Sequence, residues 1–193
     1  MTWLEKWFVN RSQKAKGNIA RISQRLQALP TEAIEDVLEI GCGTGAVAAY
    51  LAETYKMNVR GTDYDSAQIQ IARKRHLENE HLTYRVEDAA HLSFQDASFD
   101  MVVSQNVFHH LPDWPAAVKE VARVLRPQGF LIWLDLAFAK FFQKIVQPLV
   151  KNHSLYAIAD LKSVLASHGF EQIFYEKRMH GPLFQHHMVC KMK

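Results

Sequence analysis

The stretch "DVLEIGCGTGAVAAYL", Asp36–Leu51, constrains the fold more than any other part of the chain. An apolar run ends at Ile40, glycines stand at 41, 43 and 45, and a helix-like run follows. Glycines reach backbone angles closed to other residues and let a ligand approach the main chain at a helix N-terminus. Three alternate glycines ahead of a helix point to ligand binding rather than to a plain tight turn. Gly41, Gly43 and Ala46 also satisfy the dinucleotide pattern GxGxxG/A, so the loop by itself admits a nicotinamide or flavin dinucleotide as readily as another nucleoside cofactor.

Short apolar runs and helix-like runs alternate on both sides of this loop. "DVLEIG" reads as a first strand and "AVAAYLAETY" as a helix. "NVRGTD" follows as a second strand, then "SAQIQIARKRHLEN" as a helix whose N-cap is Ser66 or Asp65. "LTYRVED" and "FDMVVSQ" are the third and fourth strands. "WPAAVKEVARVLR" is a helix with Pro115 in its first turn, ended by "PQG", and "FLIWLDL" is a fifth strand. The alternation predicts an α/β fold with a parallel sheet covered on both faces.

Beyond it, "FAKFFQKIVQPLVK" and "YAIADLKSVLASHG" look helical. "EQIFYEKR" and "LFQHHMVCKMK" then read as two strands whose short link at Gly181-Pro182 makes them pair antiparallel. At the other end, Leu4, Trp7, Phe8, Ile19, Ile22, Leu26 and Leu29 recur at helical spacing up to Pro30. A chain of 193 residues with 48% apolar content buries one sizeable core, so 1–193 is expected to be a single domain.

Net charge is +3, from 23 basic and 20 acidic residues, which gives no strong affinity for polyanions. The basic excess is uneven: Lys6, Arg11, Lys14, Lys16, Arg21 and Arg25 crowd the N-terminal segment. Two cysteines, Cys42 and Cys190, suit a reducing cytoplasm better than a disulfide framework. No secretory signal is visible, and the best apolar run, "FLIWLDLAFA", is short and interrupted by Asp135. The expected location is cytoplasmic, with peripheral membrane contact as the most that the sequence allows.

Two acids extend the reading of the loop. Asp63 ends the second strand about 20 residues past the glycines, where a carboxylate can accept both hydroxyl protons of a ribose. Asp88 ends the third strand and is followed by small Ala89 and Ala90, an arrangement that offers one carboxylate to an exocyclic amine beside backbone a flat base can approach. A dinucleotide would need room for a second nucleotide beyond the loop. Here the two cofactor readings part.

The chain at this point resembles the class I S-adenosylmethionine-dependent methyltransferases, and most closely the branch that contains ubiquinone and menaquinone biosynthesis enzymes. "VLEIGCGTG" looks like the family's first motif and "GTDYD" like its ribose-binding acid. "VEDAAHLSFQDASFDMVVSQNVFHHLPD" and "EVARVLRPQGFLIWLDL" match the segments that follow, so the likeness runs continuously from Asp36 to Asp135. It implies a three-layer α/β/α fold with a seven-stranded, mostly parallel sheet in the order 3-2-1-4-5-7-6 and a C-terminal antiparallel hairpin. It also implies an organisation into an N-terminal helical cap segment (1–30), a cofactor core (36–135), a cap helix (137–152), and a terminal helix with the hairpin (157–193).

The implied cofactor is S-adenosyl-L-methionine, with S-adenosyl-L-homocysteine as product. By the same resemblance, Glu39, Gly41, Cys42, Gly43, Thr44 and Gly45 surround its methionine part. Asp63 holds the ribose, Tyr64 and Gln68 lie on the adenosine side, and Asp88 and Ala89 face the adenine edge. Gln105 and Asn106 end the fourth strand beneath the sulfonium.

A sulfonium methyl group is intrinsically reactive, so the protein mainly has to align a nucleophile and exclude water. A base helps when the nucleophile must lose a proton. His109 and His110, just past the fourth strand, are the candidates: His109 as the substrate-side group and His110 as a cofactor-side or loop-anchoring residue. No metal is expected, because His186 and His187 are adjacent on a strand and point to opposite faces.

Apolar faces in "FAKFFQKIVQPLVK" and in the N-terminal helix are first of all expected to pack on the domain, and alternatively to shape a pocket for a small, apolar or aromatic acceptor. Their basic flanks leave a membrane surface open. Nucleic acid is disfavoured, since "SQNVFHHLPD" stands where base and glutamine methyltransferases carry an Asn-Pro-Pro-Tyr-type tetrapeptide. The alternatives are a non-catalytic cofactor-binding subunit, an RNA or protein methyltransferase, and a dinucleotide-dependent oxidoreductase. The assembly is expected to be a monomer or a homodimer.

Overall fold

The computed structural model describes residues 12–137, 156–180 and 183–193. The expected helical stretches around Leu4–Phe8 and over 138–152 lie outside the described residues. The chain falls into two compact units, the first ending at Glu87 and the second beginning at Asp88.

The first unit opens with α1 (Ser12–Leu26), whose Ile22 and Leu26 are buried. It continues through β1 (Asp36–Ile40), α2 (Ala46–Tyr55), β2 (Asn58–Asp63), α3 (Ser66–Arg75) and β3 (Leu82–Val86). The three strands are parallel, with Glu39 opposite Gly61 and Gly61 opposite Tyr84. Val37, Leu38, Ile40, Val59 and Tyr84 are all buried, as expected of strands covered on both faces.

The structure chooses between the two cap candidates and moves one boundary. The N-cap of α3 is Asp65, whose carboxylate accepts the Ala67 N–H at 2.9 Å, and Ser66 is the first helical residue. That helix also stops at Arg75 rather than Asn79, because Asn79 forms an isolated bridge with Leu82 that leads the chain into β3.

The second unit contains β4 (Phe99–Gln105), α4 (Trp114–Val124), β5 (Leu125–Leu136), α5 (Ile158–Ser167), β6 (Phe170–His180) and β7 (Leu183–Met192). Strands β4 and β5 are parallel, while β7 runs antiparallel to both β5 and β6. Asp113 caps α4 through the Ala116 N–H, with Pro115 in the first turn as the sequence suggests.

Strand β5 begins five residues earlier than "FLIWLDL" implied. Leu125 already pairs with Phe99, and the register then skips to Met101–Phe130. Gln128 takes up the irregularity at φ 68°, and a Cβ on Gly129 would lie 2.9 Å from the carbonyl oxygens of Arg126 and Asp100. The seven strands stand in the order β3-β2-β1-β4-β5-β7-β6, flanked by helices and ending in the antiparallel hairpin. This is the architecture the resemblance implied.

Candidate functional site

In the first unit the chemistry gathers where β1 and β2 end. Gly41, Gly43 and Gly45 sit at φ 70°, 53° and 79°, a left-handed region that costs other residues steric strain. Three hydrogen bonds fasten the loop: Cys42 N–H to Thr62 O at 2.8 Å, Gly45 N–H to Cys42 O at 2.9 Å, and Gly43 N–H to Asp63 Oδ2 at 2.9 Å. The other Asp63 oxygen accepts the Asp65 N–H at 2.9 Å. Asp63 therefore joins the glycine loop to the start of α3.

Below the loop lies Tyr84, which sequence reasoning did not single out. Its buried ring packs against Gly45 and Gly61, and its hydroxyl donates to Gly45 O at 2.9 Å. A Cβ on either glycine would come within 2.8 Å of the ring. No local pattern signals this, because the partners come from β2, β3 and the loop.

Glu39 is buried at 4% exposure. Burial pushes its carboxyl up to about 8, opposed by the Ala48 backbone N–H and reinforced by the charge of Asp63. Its Oε2 has no hydrogen-bond partner among the described residues, and neither amide atom of buried Gln68 has one. Buried polar atoms without partners are costly, so this region is built to receive a polar ligand. Cys42 is buried as well. Burial, then the charges of Glu39 and Asp63, push its thiol well above the usual range. Thr44 is buried, whereas Tyr64 stands out at 76% exposure.

In the second unit, Asp88 is half-exposed and folds back on its own turn, taking the Ala90 N–H at 2.9 Å. Ala89 is buried beside it. Arg123 clamps the following segment, donating to Leu92 O, Phe94 O and Asp96 while pairing with Glu120.

Beyond β4, Asn106 adopts φ 56° and its N–H reaches Leu134 O at 2.8 Å. Its Oδ1 accepts from Gln185 Nε2 at 3.0 Å. Gln105 is buried just before it.

The short turn Phe108–His110 carries both candidate histidines. His109 Nδ1 makes a short hydrogen bond to Asp135 Oδ1, and Asp135 Oδ2 accepts the N–H groups of Val107 at 3.1 Å and His109 at 3.3 Å. The Leu136 N–H adds a bond to Oδ1 at 2.7 Å. Asp135 is fully buried. The His110 ring lies against that of His109, with centroids 3.9 Å apart. The sequence used Asp135 only as an argument against a membrane span. A lone acid in a buried apolar strand has to be satisfied by specific donors, and that was the available signal.

His186 and His187 part as expected of neighbours on a strand. His186 Nδ1 lies 2.7 Å from the Tyr175 hydroxyl, while His187 Nε2 lies 3.2 Å from Gln185 Oε1. Among the described residues no group of three or more His, Cys, Asp or Glu side chains is placed to hold a metal ion. Cys42 and Cys190 are both free thiols.

Residues 38–133 match the methyltransferase domain family Methyltransf_11. The chain is 37% identical over 137 residues to methyltransferase GfsG of Streptomyces halstedii, which covers 68% of this chain and 49% of that protein. It is 37% identical over 99 residues to the 2-methyl-6-phytyl-1,4-hydroquinone methyltransferase of Synechocystis, covering 51% and 31%. The chain thus spans half or less of the length of these curated relatives. Among solved structures it resembles Haemonchus contortus phosphoethanolamine N-methyltransferase 2, solved with phosphomonomethylethanolamine and S-adenosylhomocysteine. That likeness has a TM-score of 0.74 at 17% identity and covers 90% of this chain and 52% of the other.

Proposed function

Since the chain belongs to the class I S-adenosylmethionine-dependent methyltransferases, we propose that it methylates a small acceptor of apolar or aromatic character. S-Adenosylmethionine is the cofactor, and the first unit suits it. The loop glycines hold left-handed backbone angles, while Glu39 Oε2 and the Gln68 amide are buried polar atoms with no partner among the described residues. In this reading Glu39 and Gly41–Gly45 hold the methionine part, Asp63, Tyr64 and Gln68 the adenosine, Asp88 and Ala89 the adenine edge, and Gln105 and Asn106 the sulfonium side. When bound, the cofactor supplies an electrophilic methyl group.

One observation favours an enzyme over a binding subunit: the bond between His109 and Asp135. A buried carboxylate with three backbone N–H donors is fixed in place, and it holds the proton of His109 on Nδ1. The lone pair is then on Nε2, which takes the proton of an acceptor hydroxyl as that oxygen is methylated. Asp135, bonded to Nδ1, stabilises the imidazolium that results. The tilted ring of His110 packs against that of His109 and supports it. One relative, named for a hydroquinone, supports an acceptor with such a hydroxyl.

The test follows transfer of labelled methyl from S-adenosylmethionine to a panel of quinols, phenols, fatty acids, lipids and amines. A hydroxyl-bearing apolar or aromatic compound is expected to turn over. His109→Ala should lower kcat by roughly 100-fold while leaving S-adenosylhomocysteine affinity within about twofold of wild type. Tight S-adenosylhomocysteine binding with no labelled acceptor would favour the binding-subunit reading. Unchanged kcat in His109→Ala across pH would remove the base assignment.

A further inference from the structure

The two adjacent histidines of β7 take no part in that reading, yet one of them leads to the end of β4. His187 is fully buried, and its Nε2 lies 3.2 Å from Gln185 Oε1. Gln185, itself buried, donates from Nε2 to Asn106 Oδ1 at 3.0 Å. A carbonyl oxygen accepts and an amide nitrogen donates, so the chain runs in one direction: His187 to Gln185 to Asn106. Asn106 needs such support, because it is a non-glycine residue at φ 56° immediately after the strand, a conformation that costs free energy unless its surroundings impose it. The Leu134 carbonyl holds its backbone N–H, and Gln185 holds its side chain.

We propose that Gln185, backed by His187, is a positioning residue that sets the Asn106 amide for cofactor binding and so brings β7 into the site. With Oδ1 engaged by Gln185, the Asn106 amide cannot rotate without breaking a part-buried hydrogen bond, and its Nδ2 hydrogens keep one direction. Linked side-chain hydrogen bonds restrict rotation in this way. The proposal rests on the reading of Asn106 as a cofactor contact.

The experiment is a double-mutant cycle on S-adenosylhomocysteine affinity, read by calorimetry with the full chain. The variants are Asn106→Ala, Gln185→Met and the pair, with Gln185→Glu as a second form that keeps the shape but cannot donate to Asn106 Oδ1. Asn106→Ala is expected to weaken binding about five- to tenfold, the loss of one or two hydrogen bonds. Gln185→Met and Gln185→Glu should each weaken it by at least about threefold in the wild-type background and have no effect once Asn106 is alanine.

A merely structural role for Gln185 would weaken binding equally in both backgrounds, and that result overturns the proposal. So does wild-type affinity in both Gln185 variants while Asn106→Ala binds poorly. Unchanged affinity in Asn106→Ala overturns instead the cofactor role of Asn106, and the proposal with it. Thermal melts of each variant establish that it is folded, and Gln185→Glu carries the test where Gln185→Met does not fold.

Discussion

Glu39 has one oxygen near the Ala48 N–H and the other without a partner among the described residues, in a place that raises its carboxyl to about 8. An unfolded glutamate ionises near 4.5. A folded value above the unfolded one means that the fold prefers the protonated acid. Its stabilising contribution is complete below about 4.5 and is lost as pH rises towards 8, on the order of a few kcal/mol in total. Cofactor-free wild type should therefore lose stability between pH 5 and 8.5 through this group, and Glu39→Gln should lose less. Melts at pH 5, 6.5 and 8.5 read the difference, and parallel curves for the two proteins would contradict it. At this scale the sequence revealed the residue types and where they stand, but not their partners. Glu39, Asp63 and His109 could be marked from the motif. Asp135, Tyr84 and Gln185 could not, because their roles arise from contacts that the fold makes across 26 residues (His109 to Asp135), 39 (Gly45 to Tyr84) and 79 (Asn106 to Gln185).

At the scale of elements, the strand-and-helix alternation was legible because buried parallel strands read as apolar runs and the helices carry caps and stops. Boundaries were less so. Asp65 rather than Ser66 is the cap because its carboxylate reaches Ala67, and β5 begins early because a register irregularity at Gln128-Gly129 lets Leu125 pair with Phe99. The packing of β3 beneath the glycine loop makes its own prediction. A methyl group on Gly61 would meet Tyr84 Cδ1 at 2.7 Å, so Gly61→Ala should cost roughly 1–3 kcal/mol of stability by denaturant unfolding. Tyr84→Phe should cost about 1 kcal/mol, the worth of the bond to Gly45 O. In a Tyr84→Leu background the penalty of Gly61→Ala should largely vanish, and full additivity would show that the ring is not what the methyl meets.

For the molecule as a whole, the strand order and the terminal hairpin match the expectation, and residues 38–133 carry the family match. The acceptor was not legible in the sequence. The segments expected to shape its pocket, around residues 3–8 and 138–149, lie outside the described residues. No helix among the described residues is long and apolar enough to cross a membrane.

In the proposed function the glycine loop, Glu39 and Asp63 serve a single-nucleoside sulfonium cofactor rather than a dinucleotide. Thermal shift of the full chain with S-adenosylmethionine, S-adenosylhomocysteine, NAD and NADP tests it most directly. Stabilisation is expected with the first two, lost in Asp63→Ala, and none with the dinucleotides. Stabilisation by NAD or NADP alone would contradict it.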